Sequence, residues 1–456
     1  MTMLNRLKTL FDDKPFFNKL LVIALPIGLQ NLMLALVAAA DAIMLGKLDQ
    51  NSMAAVSLAT QVQFIQICII AAITAGMGIL GAQYWGKNDR KVIDEIFGMG
   101  MRQVAIVSVV FFIACSFYPH LLMSFFTNDP TLANIGCKYL TIASWSYLIS
   151  GVSQCYLAVM KVSERVKRTA WISSVTVIIN IILNSVFIFG LFGVPAMGAR
   201  GAAVATVIAR AFELLWCVSS SYEKGFIRFN PKMLFHWNKL LTLDFLRCAS
   251  PIMASFIIWS VGFTSYTAIV GHLNSDAAAA NSIAAVVRDL LCCICNGFCS
   301  AVGIVIGNEL GAGQLKQAKI HGDKLMLFSF LCGFFCTIVM ISTIPVVLRF
   351  MKLSEKAQEY LVGMFIIMAI YMIGRTVNTI MENGVFSAGG DTLFDTYSLI
   401  VSMWCIALPC AFIAAFWLKL PVLVVYACTC LDEVGKLPWM IHHYLKYKWV
   451  KNLTRN

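Results

Sequence analysis

Apolar runs of roughly 20 residues or more recur from one end of this chain to the other, and each can cross ~30 Å of hydrocarbon. Inside a bilayer no water satisfies the backbone, so a spanning segment must be a helix or part of a closed barrel. Barrel strands would show as short alternating segments, which are not the pattern here. The runs fall at 17–46, 53–84, 96–126, 133–160, 168–191, 197–222, 241–271, 277–308, 323–349, 357–386, 393–417 and 421–445. The expectation is an all-α integral membrane protein of twelve transmembrane helices. Only 13% of residues are charged, against about a quarter in soluble chains. The first run follows a polar start holding Arg6, Lys8, Lys14 and Lys19. It is too long for the core of a cleavable signal and is expected to stay as the first span.

Basic residues orient the spans. Both ends and the even-numbered loops hold 22 of the 35 Lys and Arg residues, and the odd-numbered loops hold 7. The positive-inside bias then puts both termini and the even loops in the cytoplasm, in an inner (plasma) membrane. The net charge of +12 is absorbed by those loops and points to the bilayer, not to nucleic acid.

The longest connection, near 222–240, is basic and holds Pro231. It separates an N-lobe (1–222, spans 1–6) from a C-lobe (241–456, spans 7–12), with a cytoplasmic linker at 223–240. The lobes repeat. A shift of 225 residues carries Pro26 onto Pro251, Gly46 onto Gly271, Gly78 onto Gly303 and Gly86 onto Gly311. Six spans per lobe give both the same orientation, so the expected symmetry is a pseudo-twofold axis along the membrane normal, with a site in or between the lobes.

The first span carries one carboxylate, Asp41, which under the same shift meets Tyr266. A charge inside a span costs at least a few kcal/mol and usually faces a cavity or a partner. The chemistry is therefore asymmetric between the lobes. The plainer reading, that Asp41 only braces packed helices, stays open.

Several stretches together resemble the multidrug and toxic compound extrusion (MATE) antiporters. They are Pro26 with Asp41 and Gly46, GMGILGAQYWGKND after the second span, NIILNSVFIFG at 180–190, GARGAAVAT at 198–206, GIVIGNELGAG at 303–313 and AGGDT at 388–392. The resemblance implies two six-helix lobes that export organic cations in exchange for H⁺ or Na⁺, with no cofactor and no enzymatic step. It also implies a cation site whose matching positions here are Asp41, Asn180, Asn184 and Thr206. Related members carry a second carboxylate where Asn184 stands. Another branch places an acid in the seventh span, where this chain has Trp259, so that site is not carried over. Asp41 and Asn184 lie five and six residues before Gly46 and Gly190, at similar depth by helical rise, and Asn180 is one turn deeper. Such oxygen donors suit a small cation, or a proton on Asp41; no other metal is expected.

The C-lobe has its own charges: Arg288 and Asp289 in the eighth span, and Arg375, Asn378 and Glu382 along one face of the tenth. Pairing of Arg375 with Asp289 or Glu382 is expected, either as a gate or substrate group or as a static brace. Arg210 with Glu213, and Asp432 and Glu433 with Lys436, read as local pairs. The cysteines at 292, 293, 295 and 299 lie in an apolar run without a nearby His and read as small buried hydrophobes. Residues 1–18 are expected to lie on the membrane surface. The resulting expectation is a monomeric exporter of small organic cations. A flippase for a lipid-linked or anionic substrate is the second reading, and a membrane enzyme the third.

Overall fold

The computed structural model describes residues 13–127, 129–223, 225–350 and 354–455. Twelve helical spans run in chain order: α1 (Lys14–Leu48), α2 (Gln50–Gly86), α3 (Arg90–Phe117), α4 (Pro130–Val162), α5 (Val166–Phe189) and α6 (Ala199–Ser221). Then come α7 (Lys239–Gly271), α8 (Ser275–Gly311), α9 (Leu315–Phe350), α10 (Glu355–Phe386), α11 (Thr392–Trp417) and α12 (422–445). Ten of them are long and apolar enough to cross a membrane. The other two are α4, which carries buried serines, and α12, whose continuous pieces are too short. α4 packs against α2, α3 and α6 and buries Ser144, Ser146 and Ser153. α12 is broken into Val422–Thr429, Leu431–Val434 and Leu437–Leu445. Pro438 contributes to the second break, since it has no N–H to donate to the preceding turn.

The repeat survives in three dimensions. α1 and α7, α2 and α8, α3 and α9, and α4 and α10 each start 225 residues apart. The capping follows suit. Asp49 accepts from the Ser52 N–H and Asn274 from the Ala277 N–H, while Asp129 and Ser354 cap α4 and α10. Such caps satisfy amide groups that the helix itself leaves unpaired.

By contacts the chain forms two compact units, one of Leu29–Ala249 and one of the residues through Gly28 with Ser250–Asn456. Their edges fall beside Pro26 and Pro251, inside α1 and α7. A proline inside a helix removes one rung of the hydrogen-bond ladder and loosens the next turn, so the contacts regroup there. In the second unit the start of α1 lies directly on α8. A Cβ on Gly297 would come within 2.7 Å of the Gly28 backbone, so only glycine allows this approach.

The same end of α1 is anchored by charge. Asp13 accepts from Lys324 Nζ at 2.7 Å and lies 3.1 Å from His321 Nε2, while His321 Nδ1 lies 2.6 Å from Glu309. The imidazole stacks on Phe16. The Lys324 hydrogen bond, opposed by burial and helped by the one to His321, holds the Asp13 carboxyl below its ordinary 3.8. A carboxyl depressed in the folded state stabilises above its unfolded value and loses that contribution as pH falls through the folded one. Asp13→Asn should therefore lower the melting temperature in detergent at pH 7, and the gap should close as pH falls through and below the ordinary carboxylate range. Equal melting at pH 7 would show that the pair contributes nothing. The remainder of the expected surface helix, residues 1–12, lies outside the described residues.

Candidate functional site

In the unit Leu29–Ala249, side chains from α1, α5 and α6 meet in one hydrogen-bonded row. Asn184 Nδ2 donates to Asp41 Oδ1 at 2.5 Å and to Asn180 Oδ1 at 3.2 Å. Asn180 Nδ2 donates to Thr206 Oγ1 at 3.4 Å, and that hydroxyl donates to the Ala202 carbonyl at 2.9 Å. All four residues matched through the resemblance are thus in contact, in the order Asp41, Asn184, Asn180, Thr206. The spacing explains it. Asn180 and Asn184 are one turn apart on α5, and a single NH₂ group has two hydrogens, one for each neighbour. Gly190 (φ +74°) ends α5 just beyond, a left-handed turn that glycine adopts without penalty.

The row is buried but incomplete. Asn184 is 0% exposed, Asn180 is 6% exposed, and Asp41 is half-buried. Among the described residues, Asn184 Oδ1 has no hydrogen-bond partner. A buried amide oxygen without a donor costs about 1–3 kcal/mol. It lies on the same side chain that meets Asp41, so one carboxylate and one free amide oxygen are available to a small cation. One turn beyond Thr206 on α6, Arg210 donates to Glu213 at 2.7 Å and Ser153 adds 3.3 Å. This is the local pair that the spacing suggested.

The C-terminal charges are arranged differently from expectation. Arg375 does not pair with Asp289 or Glu382. Its guanidinium donates to Glu433 at 2.6 Å, and Asn378 donates to the same carboxylate at 2.7 Å. Glu382 accepts from Lys436 at 2.7 Å and from Ser398 at 3.3 Å. Asp289 is held by its neighbour Arg288 at 2.8 Å. The reason is that α12, where it breaks, aims Glu433 and Lys436 across at α10. Their i, i+3 contact survives only at 3.9 Å. Sequence showed only that three charges stand within five residues of an apolar run, next to Gly435 and Pro438; it did not show which way they face. Where the other branch carries its acid, the Trp259 ring lies 5.8 Å from the Arg375 guanidinium, so a cation over an aromatic face occupies that region.

Comparison with known proteins agrees with this geometry. The MatE family profile matches twice, over residues 26–186 and 251–413, again 225 residues apart at their starts. The chain is 23% identical to an uncharacterized transporter of Bacillus subtilis, YisQ, over 96% of both chains. It is 24% identical to a probable multidrug resistance protein NorM of Thermotoga maritima, over 97% of this chain and 96% of that one. Among solved structures, a Vibrio cholerae MATE transporter, VcmN, superposes with a TM-score of 0.86 at 15% identity, covering 95% of this chain and 98% of that one. A multidrug resistance MATE transporter in an outward-facing conformation gives 0.84 at 16%, covering 95% and 96%. The chain belongs to the MatE family: it is a multi-pass membrane transporter of the two-lobe, twelve-helix fold, and not an enzyme.

Proposed function

We propose that the protein is a secondary active exporter of small organic cations, driven by inward flow of H⁺ or Na⁺ through the Asp41 site. The observation that carries this reading is the row Asp41–Asn184–Asn180–Thr206, with its unpartnered amide oxygen. A carboxylate inside a span is costly unless its charge is matched. An exchangeable proton or sodium ion matches it in one state and leaves in another. Loss of that ion changes the charge of the site, and the family's multidrug relatives make organic cations the natural counter-substrate. The 22 Met and 31 Phe residues suit adaptable contacts with flat cations. The charge bias places both termini in the cytoplasm of the inner membrane, and we take the working unit to be a monomer.

The flippase reading needs unengaged cations for an anionic head group. Arg288 and Arg375 are both held by carboxylates, Asp289 and Glu433, which weighs against it.

The deciding experiment is uptake of fluorescent ethidium into inside-out proteoliposomes under an imposed pH gradient or an imposed Na⁺ gradient. Accumulation driven by one gradient and abolished by its collapse is expected, and the effective gradient names the ion. No accumulation under either would overturn the reading.

A further inference from the structure

The repeat leaves a question in the second half: what stands where Asp41 would be? The shifted position is Tyr266. Its hydroxyl donates to Asp432 Oδ2 at 3.4 Å. Counted from their helix starts, Thr206 is the eighth residue of α6 and Thr429 the eighth of α12, and Asp432 follows Thr429 by nearly one turn. The place of the acid on the first helix of the lobe is therefore taken by a hydroxyl, and the acid has moved to the last helix. α11 supplies no amides here. The positions counted as for Asn180 and Asn184 are Ile406 and Cys410.

Three observations make this more than a buried acid. First, Asp432 is 6% exposed, yet it lines a small cavity together with Tyr266, Thr429, Arg288 and Tyr371, with room for roughly two water molecules. Second, the charges around Asp432 are already committed. Arg375 is held by Glu433, Lys436 by Glu382 and Arg288 by Asp289. Among the described residues, the hydrogen bonds of Asp432 are from the Tyr266 hydroxyl and, on Oδ1, from the Glu433 backbone N–H at 2.8 Å. In this group Asp432, Glu433 and Glu382 face two cations from α10 and α12, so one carboxylate is left over. Third, α12 is interrupted on either side of Asp432, at Cys430 and at Gly435–Lys436. In transporters an interrupted spanning helix is a recurrent place for ion sites.

We propose that Asp432 is a second coupling site, in the C-terminal half, that binds and releases one small monovalent cation, a proton or Na⁺, in each transport cycle. Tyr266 and Thr429 supply hydroxyl oxygens and the cavity supplies water. Two ions would then enter for each organic cation that leaves, one at Asp41 and one at Asp432. This inference rests on the antiport reading but is separable from it.

The test is the reversal point of ethidium flux in proteoliposomes, with the membrane potential clamped at zero by valinomycin and K⁺. With a driving gradient of one pH unit, or a tenfold Na⁺ gradient, each coupled ion supports a further tenfold ethidium gradient. Wild type should reverse near a hundredfold opposing ethidium gradient, Asp432→Asn near tenfold, and Asp432→Glu near the wild-type value. The arm in which the shift appears identifies the ion. A reversal point reports stoichiometry, so a variant that is only slower or less abundant would not move it. Reversal of the wild type near tenfold, or an unshifted Asp432→Asn, overturns the proposal while leaving the antiporter intact. A wild type with no gradient-driven flux would instead remove the antiport reading beneath it.

Discussion

Asp41→Asn should reduce gradient-driven ethidium accumulation to the level of protein-free liposomes, with the variant still folded and reconstituted. The expected loss is large because an amide can neither carry the exchangeable proton nor balance the charge of Na⁺, so the Asp41 site can no longer exchange its ion for the substrate and the cycle stalls, whatever a second site contributes. Folding should survive because a neutral amide replaces a carboxylate of the same shape. It also meets Asn184 Oδ1, which has no hydrogen-bond partner among the described residues, and burial of a charge is avoided. Asn184→Ala removes the group that donates to both Asp41 and Asn180. It should weaken apparent coupling-ion affinity without abolishing the maximal rate. Measurement is by initial uptake rate against pH or Na⁺ concentration. Undiminished uphill transport by Asp41→Asn would show that the carboxylate is a brace and that coupling lies elsewhere.

The second large effect is on stability. Glu382→Ala should cost about 3–5 kcal/mol, the range for breaking a buried ion pair from one side. Lys436 is 4% exposed and Glu382 1%. Removal of the acid leaves Lys436 with Glu433 only at 3.9 Å, while Glu433 is already engaged by Arg375 and Asn378. The double substitution Glu382→Leu with Lys436→Met should recover most of the loss, because apolar side chains of similar volume replace buried pairs at little cost. Thermal unfolding in detergent of Glu382→Leu, Lys436→Met and the double reads this as a cycle. If the double is no more stable than Glu382→Leu, the pair is not the source of the cost.

Different parts of the molecule differed in how far sequence could reach. The helical class, the repeat and the four helix starts held at a constant shift are consequences of span length and of caps such as Asp49 and Asn274, which are local. The Asp41 row was legible because one acid in an apolar run is conspicuous and because the asparagines one turn apart on α5 must share a face. The partners of Arg375 were not legible. Asp289 and Glu382 stood on the right kinds of span, and nothing in their spacing says that α12 breaks and turns Glu433 toward α10. The i, i+3 distance from Glu433 to Lys436 suggested a local pair, whereas burial rewards the cross-helix geometry that adds Asn378 and Ser398. Unit edges at the prolines were hidden for a similar reason. A loop is visible in composition, while a regrouping of contacts within a continuous helix is not.

The π-helical stretch Thr379–Phe386 bears on how the two halves diverged. A π-turn closes one residue later than an α-turn, so it stores a single inserted residue inside a helix. From the start of α4 to the start of α5 the first half advances from Pro130 to Val166, and the second from Glu355 to Thr392, one residue more. Up to α10 the copies are in step, and the first departure coincides with the widened turns around Glu382. The wide turns absorb such an insertion locally, so the residues beyond them keep their former face while those within them, Glu382 included, are re-aimed. The second half thus carries one residue more than the first between the starts of these two spans, and the wide turns lie where its buried acid meets a lysine.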